Sequence, residues 1–128
     1  MNNRPLSPHL SVYKPQITSV LSILHRLTGI ALFFSFIGLL WVLNYLTIKL
    51  QKPSDLQANF VGFFHNNIIV FLLIIISYCS LYHFFSGIRY LIWDQGKLMS
   101  LKAVNILGWL VVALSIVGTS IFWYYILI

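Results

Sequence analysis

The chain has 128 residues, of which 59% are hydrophobic and 8% are charged, and its formal net charge is +6. This composition is typical of a membrane protein. It excludes a sizeable soluble domain, because each membrane-spanning helix needs about 20 residues. The basic excess indicates interfacial Lys and Arg rather than nucleic-acid binding. A single cysteine excludes an internal disulfide. No cleavable signal is expected, because the first 26 residues are polar and contain three prolines.

Three apolar segments predict an all-α membrane protein with three transmembrane helices in a bundle. The spans are about residues 27–48, 68–92 and 104–128, and each is long enough to cross a bilayer. The first helix is expected to begin before its span, with Thr18 or Ser19 as the N-cap. We therefore divide the chain into a polar N-terminal segment with the start of helix 1, residues 1–26, and a three-span anchor domain, residues 27–128.

The basic residues predict the orientation of the spans. Most of them precede the first span or surround the loop between the second and third spans, whereas only Lys49 and Lys52 flank the opposite side. The positive-inside rule then places the N-terminus on the cytoplasmic or matrix side. Aromatic residues near the span ends are predicted to lie at the membrane interfaces: Trp41, Trp93, Trp123, Tyr124 and Tyr125.

His83 is the most informative residue, because it lies inside the second apolar span. An ionisable side chain at membrane depth is costly, and neutral imidazole is a good ligand for iron. Ser86 and Gly87 follow on the same helix face, and the glycine removes bulk where a macrocycle or another helix could approach. The spacing leaves two interpretations open: a cofactor ligand, or a structural histidine that hydrogen-bonds across helices.

The sequence offers only one good axial ligand for a six-coordinate haem. His9 lies in the polar N-terminal segment and His65 at the outer end of the second span. His25 is at the inner interface, nearer to where haem propionates would lie than to the iron. A bis-histidine haem would therefore need its second ligand from another subunit.

Ser22, His25 and Arg26 are spaced to share one face of the first helix. The Arg26 guanidinium suits carboxylates such as propionates, and the Ser22 hydroxyl can donate to a quinone carbonyl. The alternative is an arginine bound to lipid phosphate, a solvated histidine and a serine bonded to its own backbone. For these three residues taken alone, the alternative is favoured.

Arg89 has two interpretations, an interfacial anchor or a second partner for a haem propionate, and with Asp94 it could also pair with a neighbouring subunit. Cys79 is interpreted as a small buried apolar residue. The sequence contains no nucleophile elbow, phosphate-binding loop or paired carboxylates, so we predict no catalytic residues and a non-catalytic subunit. Any catalysis would belong to a partner or a bound cofactor.

Two segments together resemble the cytochrome b subunits of succinate dehydrogenase, the larger membrane anchor of respiratory complex II. The first is RPLSPHLSVYKPQITSVLSILHRLTG, residues 4–29, with an S-x-x-H-R-x-[ST] core. The second is HFFSGIRYLIWDQG, residues 83–96, with the pattern H-x-x-x-G-I-R followed by W-D. The resemblance implies that His83 is an axial ligand of haem b and that a smaller anchor subunit provides the other ligand.

The resemblance also implies a ubiquinone site beside the iron–sulfur subunit, lined by Ser22 and Arg26, with His25 and Arg26 near the haem propionates. The other expected partner is the flavoprotein subunit that oxidises succinate, and the expected location is a bacterial or mitochondrial inner membrane. Many members have histidine where this chain has Tyr90, so no haem-edge or proton-relay role is carried over to Tyr90. A haem-free structural anchor is the alternative function.

Overall fold

The computed structural model describes residues 15–49, 62 and 65–128. Three helices make up almost all of this part of the chain: α1 is Ile17–Lys49, α2 is Asn67–Asp94 and α3 is Leu101–Leu127. Each is long and apolar enough to cross a membrane. The prediction of an all-α protein with three spans is therefore confirmed. The inward orientation of the N-terminus stays a prediction, as does the division at residue 26, and residues 1–14 lie outside the described part.

Helix α1 begins at Ile17, so the prediction that Thr18 or Ser19 caps it is wrong. Both residues lie within the first turn, and the carbonyl oxygen of Gln16 accepts from the backbone N–H of Ser19 at 3.1 Å. The helix can start this close to Pro15 because proline restricts its own φ and the residue before it, not the residues that follow.

Side-chain caps start the other two helices. The Asn66 side chain accepts from the backbone N–H groups of Ile68 at 3.0 Å and Ile69 at 3.4 Å, at the start of α2. The Ser100 hydroxyl accepts from the backbone N–H of Ala103 at 3.3 Å, at the start of α3. Each cap satisfies N–H groups that have no partner inside the helix.

Helix α2 ends in a Schellman motif around Gly96. The Gly96 N–H donates to the Trp93 carbonyl at 2.8 Å, and the Lys97 N–H donates to the Ile92 carbonyl at 3.4 Å. Gly96 has φ +70°, a left-handed conformation that glycine adopts without steric cost. The short connection that follows brings α3 back against α2.

The bundle has a partly polar interior and an apolar exterior. Helix α2 packs against both α1 and α3. Large apolar side chains point outward along all three helices. This arrangement is expected in lipid, because lipid chains accept apolar surface while small and polar residues join the helices. The buried residues are Leu21, Thr28, Tyr82, Ser86, Arg89, Gly108, Val111, Ser115, Thr119 and Trp123.

Trp123 joins α3 to α2, whereas the sequence predicted an interfacial aromatic. Its ring is buried, and its Nε1–H donates to the Ser77 hydroxyl at 2.8 Å. A Cβ built on Gly118 would lie 3.1 Å from Leu81 Cδ1, so the two helices approach closely here. A buried indole needs an acceptor for its N–H, and Ser77 provides one inside the bundle.

Candidate functional site

His83 lies where α2 crosses α1, directly against His25. The two imidazole rings are stacked, with centroids 4.0 Å apart and an angle of 8° between their planes. Both side chains are half-buried. The sequence predicted a position near the inner end of α1 for His25, and the structure adds that its ring covers one face of the His83 ring.

The hydrogen bonds of His83 define which of its ring nitrogens carries a proton. Its Nδ1 lies 3.2 Å from the carbonyl oxygen of His25 and 3.3 Å from Oγ1 of Thr28. The Thr28 hydroxyl donates its proton to the same carbonyl at 2.9 Å. Both neighbours of Nδ1 are therefore acceptors, and Nδ1 must be the donor. In the neutral ring, Nε2 then keeps a lone pair, the form of imidazole that binds a metal.

Two glycines shape the space around His83. A Cβ built on Gly29 would lie 3.0 Å from His83 Cε1, so a side chain at position 29 would push the ring away from α1. A Cβ on Gly87, which the sequence singled out, would meet nothing within 4 Å. Gly29 thus lets the ring pack against α1, and Gly87 leaves open space beside α2.

Arg89 is buried inside the bundle and only 2% exposed, so it is not an interfacial anchor. Its guanidinium carbon lies 4.7 Å from the ring centroid of Trp93 and 5.3 Å from that of Tyr90. A Cβ on Gly108 of α3 would lie 3.5 Å from Arg89 Nη1 and 2.8 Å from Leu21 Cδ1, so α3 approaches both the guanidinium and α1 at this glycine. Within the described residues Arg89 forms no ion pair, and Asp94 is exposed.

Tyr90 connects the histidines to the arginine. Its ring centroid lies 5.2 Å from that of His25 and 5.6 Å from that of Trp93. We call this continuous set the histidine–arginine cluster; it consists of His25, His83, Arg89, Tyr90 and Trp93.

Several buried polar atoms of the histidine–arginine cluster have no hydrogen-bond partner among the described residues. They are all three guanidinium nitrogens of Arg89, Nδ1 of His25 and Nε1 of Trp93. The aromatic rings offset part of the cost of burying the guanidinium. A buried cation without an anion nevertheless remains unfavourable by about 3 kcal/mol or more. The cluster therefore has the chemistry of a site that receives an anionic or hydrogen-bonding group from outside the described residues.

Ser22 and Arg26 flank His25 on α1 but make no hydrogen bond within the described part of the chain. Ser22 is half-buried and Arg26 is exposed. The structure thus brings His25, His83 and Arg89 into one cluster and leaves Ser22 and Arg26 at its edge. Sequence reasoning missed Thr28 and Gly29, although both end the first motif. Their positions three and four residues after His25, on its helix face, were the signal that could have identified them.

Comparison with known proteins decides the family. A family model described as the succinate dehydrogenase/fumarate reductase transmembrane subunit matches residues 1–122. The chain belongs to this family. It is therefore a membrane-anchor subunit of the succinate dehydrogenase type, and the predicted multi-pass inner-membrane location is confirmed.

Relatives occur in bacteria and in mitochondria. The succinate dehydrogenase cytochrome b556 subunit of Rickettsia felis is 48% identical over 95% of this chain and 92% of its own length. The cytochrome b560 subunit of Reclinomonas americana is 37% identical over 94% of this chain and 85% of its own length. The mitochondrial cytochrome B subunit of Schizosaccharomyces pombe is 39% identical, over 94% and 67% respectively. The resemblance found in the two motifs thus extends over nearly the whole chain.

Proposed function

We propose that this anchor subunit binds one haem b jointly with a second anchor subunit and helps to form the site where electrons from succinate reduce ubiquinone. The observation that carries the haem assignment is the hydrogen bonding of His83. Because Nδ1 is the donor, the lone pair of Nε2 is available as an axial ligand to iron. The cytochrome b designation of the relatives supports the same assignment.

The surroundings of His83 fit a haem. Open space lies beside Gly87 on the same helix, where a flat macrocycle could approach. The unpartnered donors of Arg89 and the unpartnered Nδ1 of His25 suit the carboxylates of haem propionates. Arg26, exposed one residue beyond His25, would be a third propionate contact. When bound, the haem supplies a one-electron redox centre, and the protein supplies its ligand and its electrostatic environment.

The quinone site would lie at the edge of the histidine–arginine cluster, on the N-terminal part of α1. Ser22 would donate a hydrogen bond to a ubiquinone carbonyl, and Arg26 would stabilise negative charge on the reduced quinone. Both side chains have no partner among the described residues, which leaves their donors available for a ligand. If the N-terminus faces the cytoplasm or matrix, as the sequence predicts, this end of α1 would lie on the side where we expect the soluble subunits to dock.

The proposal requires three protein partners. A second hydrophobic anchor subunit would provide the other axial ligand. An iron–sulfur subunit would complete the quinone site, and a flavoprotein subunit would oxidise succinate. The large apolar side chains on the outside of the bundle are compatible with a second anchor as well as with lipid.

A haem-free structural anchor is the second candidate function, and one observation favours it. His83 already links α2 to α1 through its bond to the His25 carbonyl, which is the interhelical role that this candidate requires. The bond uses only Nδ1, however, and it leaves Nε2 and the buried Arg89 unexplained. The haem-binding function accounts for the bond of Nδ1, for the free lone pair of Nε2 and for the buried Arg89.

A pyridine haemochrome assay on the detergent-purified complex separates the two functions. We expect this assay to find one b-type haem in the wild-type complex, and we expect the absorption spectrum of the intact complex to lose or shift its low-spin bands in His83→Leu. His65→Leu is the control, because His65 is exposed and lies before α2. Unchanged haem content together with an unchanged absorption spectrum in the His83 variant would exclude His83 as the ligand. A haem-free wild-type complex with normal subunit composition would favour the structural anchor.

A further inference from the structure

We propose that Thr28 is a positioning residue for the haem ligand, acting with the His25 carbonyl as a pair of acceptors that holds the proton and the ring plane of His83. This inference rests on the proposed function, because it assumes that His83 binds iron. It assigns a specific role to a residue that lies at the end of the first motif and contacts neither a propionate nor a quinone in the arrangement above.

The geometry is a closed triangle of three polar atoms. Thr28 Oγ1 donates to the His25 carbonyl at 2.9 Å, and His83 Nδ1 lies 3.2 Å from that carbonyl and 3.3 Å from Thr28 Oγ1. Thr28 is buried, with 8% of its surface exposed, so lipid and water do not compete for these contacts. The hydroxyl proton is committed to the carbonyl, which leaves the oxygen lone pairs of Thr28 facing Nδ1–H.

The triangle has two consequences for a bound iron. Acceptors at Nδ1–H raise the basicity of the imidazole, and a more basic ligand stabilises ferric iron over ferrous iron. Two acceptors on different atoms also limit rotation of the ring. Thr28 therefore helps to set how strongly Nε2 of His83 donates electrons to the iron and how the plane of the imidazole is oriented.

Thr47 has the same bond to its own helix backbone as Thr28 but makes no contact with His83. Its hydroxyl donates to the carbonyl of Asn44 at 2.8 Å, the same bond to the third residue before it that Thr28 makes. Thr47 is exposed on the same helix, and no histidine lies beside it in the part of the chain that the structure describes. The pair therefore provides a matched control, in which the local helix bond is equal and only the contact with His83 differs.

The test compares Thr28→Val, Thr28→Ser and Thr47→Val in the assembled complex. The readouts are haem content, the midpoint potential of the haem and its ferric electron paramagnetic resonance, which reports the orientation of the axial imidazoles. We expect Thr28→Val to raise the potential, to change the resonance and to weaken haem retention by about tenfold, the lower end for loss of a partner that orients a metal ligand. Thr28→Ser, which keeps the hydroxyl, and Thr47→Val should match the wild type.

The inference would be overturned if Thr28→Val left the haem potential, the resonance and haem retention unchanged. A Thr28→Val complex that matches Thr47→Val in all three readouts, or one whose potential falls, would show that Thr28 is not an acceptor for the ligand. If Thr28→Val does not assemble, Thr28→Ala removes the same hydroxyl with a strong helix former, and a wild-type spectrum in that variant would be equally decisive. The His83→Leu result stays separate, because a failure of the Thr28 inference leaves iron ligation by His83 intact.

Discussion

The two helix contacts of α2 differ in how completely their polar groups are paired. At the contact with α3, the Trp123 N–H is bonded to Ser77, and the buried hydroxyls of Ser115 and Thr119 donate to carbonyls one turn earlier. At the contact with α1, the histidine–arginine cluster buries several nitrogens that have no partner within the described residues. The named hydroxyls and the indole of the α2–α3 contact are thus paired within the described residues, whereas the nitrogens of the cluster and the buried Ser86 hydroxyl are not.

This difference separates a structural contact from a binding site. A paired polar group inside a bundle stabilises the helices modestly, by about 0.6 kcal/mol on average for an interhelical hydrogen bond in a membrane protein. An unpaired buried cation costs more than that, and it persists where a ligand or a partner completes it. Substitutions in the histidine–arginine cluster should therefore change function, whereas substitutions in the Trp123–Ser77 contact should change stability alone.

The largest effect is expected at the edge of the histidine–arginine cluster, with Ser22→Ala and Arg26→Leu. Loss of one donor to the developing charge on a reacting group costs about 100-fold or more in rate, so succinate–ubiquinone reductase activity should fall by that order. Electron transfer from succinate to a soluble dye should remain near the wild-type rate, because the soluble subunits perform it. Equal loss of both activities would indicate failed assembly instead of a quinone site.

Arg89→Met should have the next largest effect and should move two quantities in opposite directions. Haem retention should fall by at least about tenfold, because the buried guanidinium is the strongest donor available to a propionate. The thermal stability of the complex assembled without haem should stay constant or rise, because an unpaired buried cation has been removed. Lys102→Met, an exposed cation at the start of α3, is the control. A parallel loss of haem and haem-free stability would make Arg89 purely structural.

A comparison of the Gly29→Ala and Gly38→Ala variants tests how closely α1 packs against the His83 ring. The new methyl at position 29 would lie 3.0 Å from the imidazole, so we expect a displaced ring, a shifted haem spectrum and partial haem loss. A methyl at position 38 would meet nothing within 4 Å, and the better helix propensity of alanine should leave stability unchanged or higher by about 0.5–1 kcal/mol. Identical spectra for both variants would mean that α1 does not constrain the ligand.

Trp123→Phe should have the smallest effect and should be confined to stability. It removes the hydrogen bond to Ser77 and keeps an aromatic ring in the α2–α3 contact, so we expect a loss of about 0.6 kcal/mol, at most about 1.7. Unfolding of the complex in a denaturing detergent measures this loss, while haem content and potential should stay at wild-type values. A changed haem potential in this variant would break the distinction between the two contacts.

Much of the fold was predictable from the sequence, because membrane insertion acts on local properties. The length and hydropathy of three segments are enough to predict three helices, since a backbone in lipid must satisfy its hydrogen bonds within each span. His83 was identifiable for the same reason, as an ionisable residue where none is expected. The prediction of a cap at Thr18 or Ser19 failed because several residues near Pro15 were compatible with a helix start, and spacing did not distinguish them.

The sequence by itself determined the helices, the family and the residue types available for chemistry. Only the tertiary structure decided which residues meet. Neither the stacking of His25 on His83 nor the hydrogen bonds of Nδ1 to Thr28 and the His25 carbonyl can be read from spacing, because they join residues 55 or more positions apart. The burial of Arg89 likewise involves a third helix, because its guanidinium lies beside Gly108 of α3. Spacing along one helix predicts a shared face, but how two helices cross depends on side-chain packing along their whole lengths.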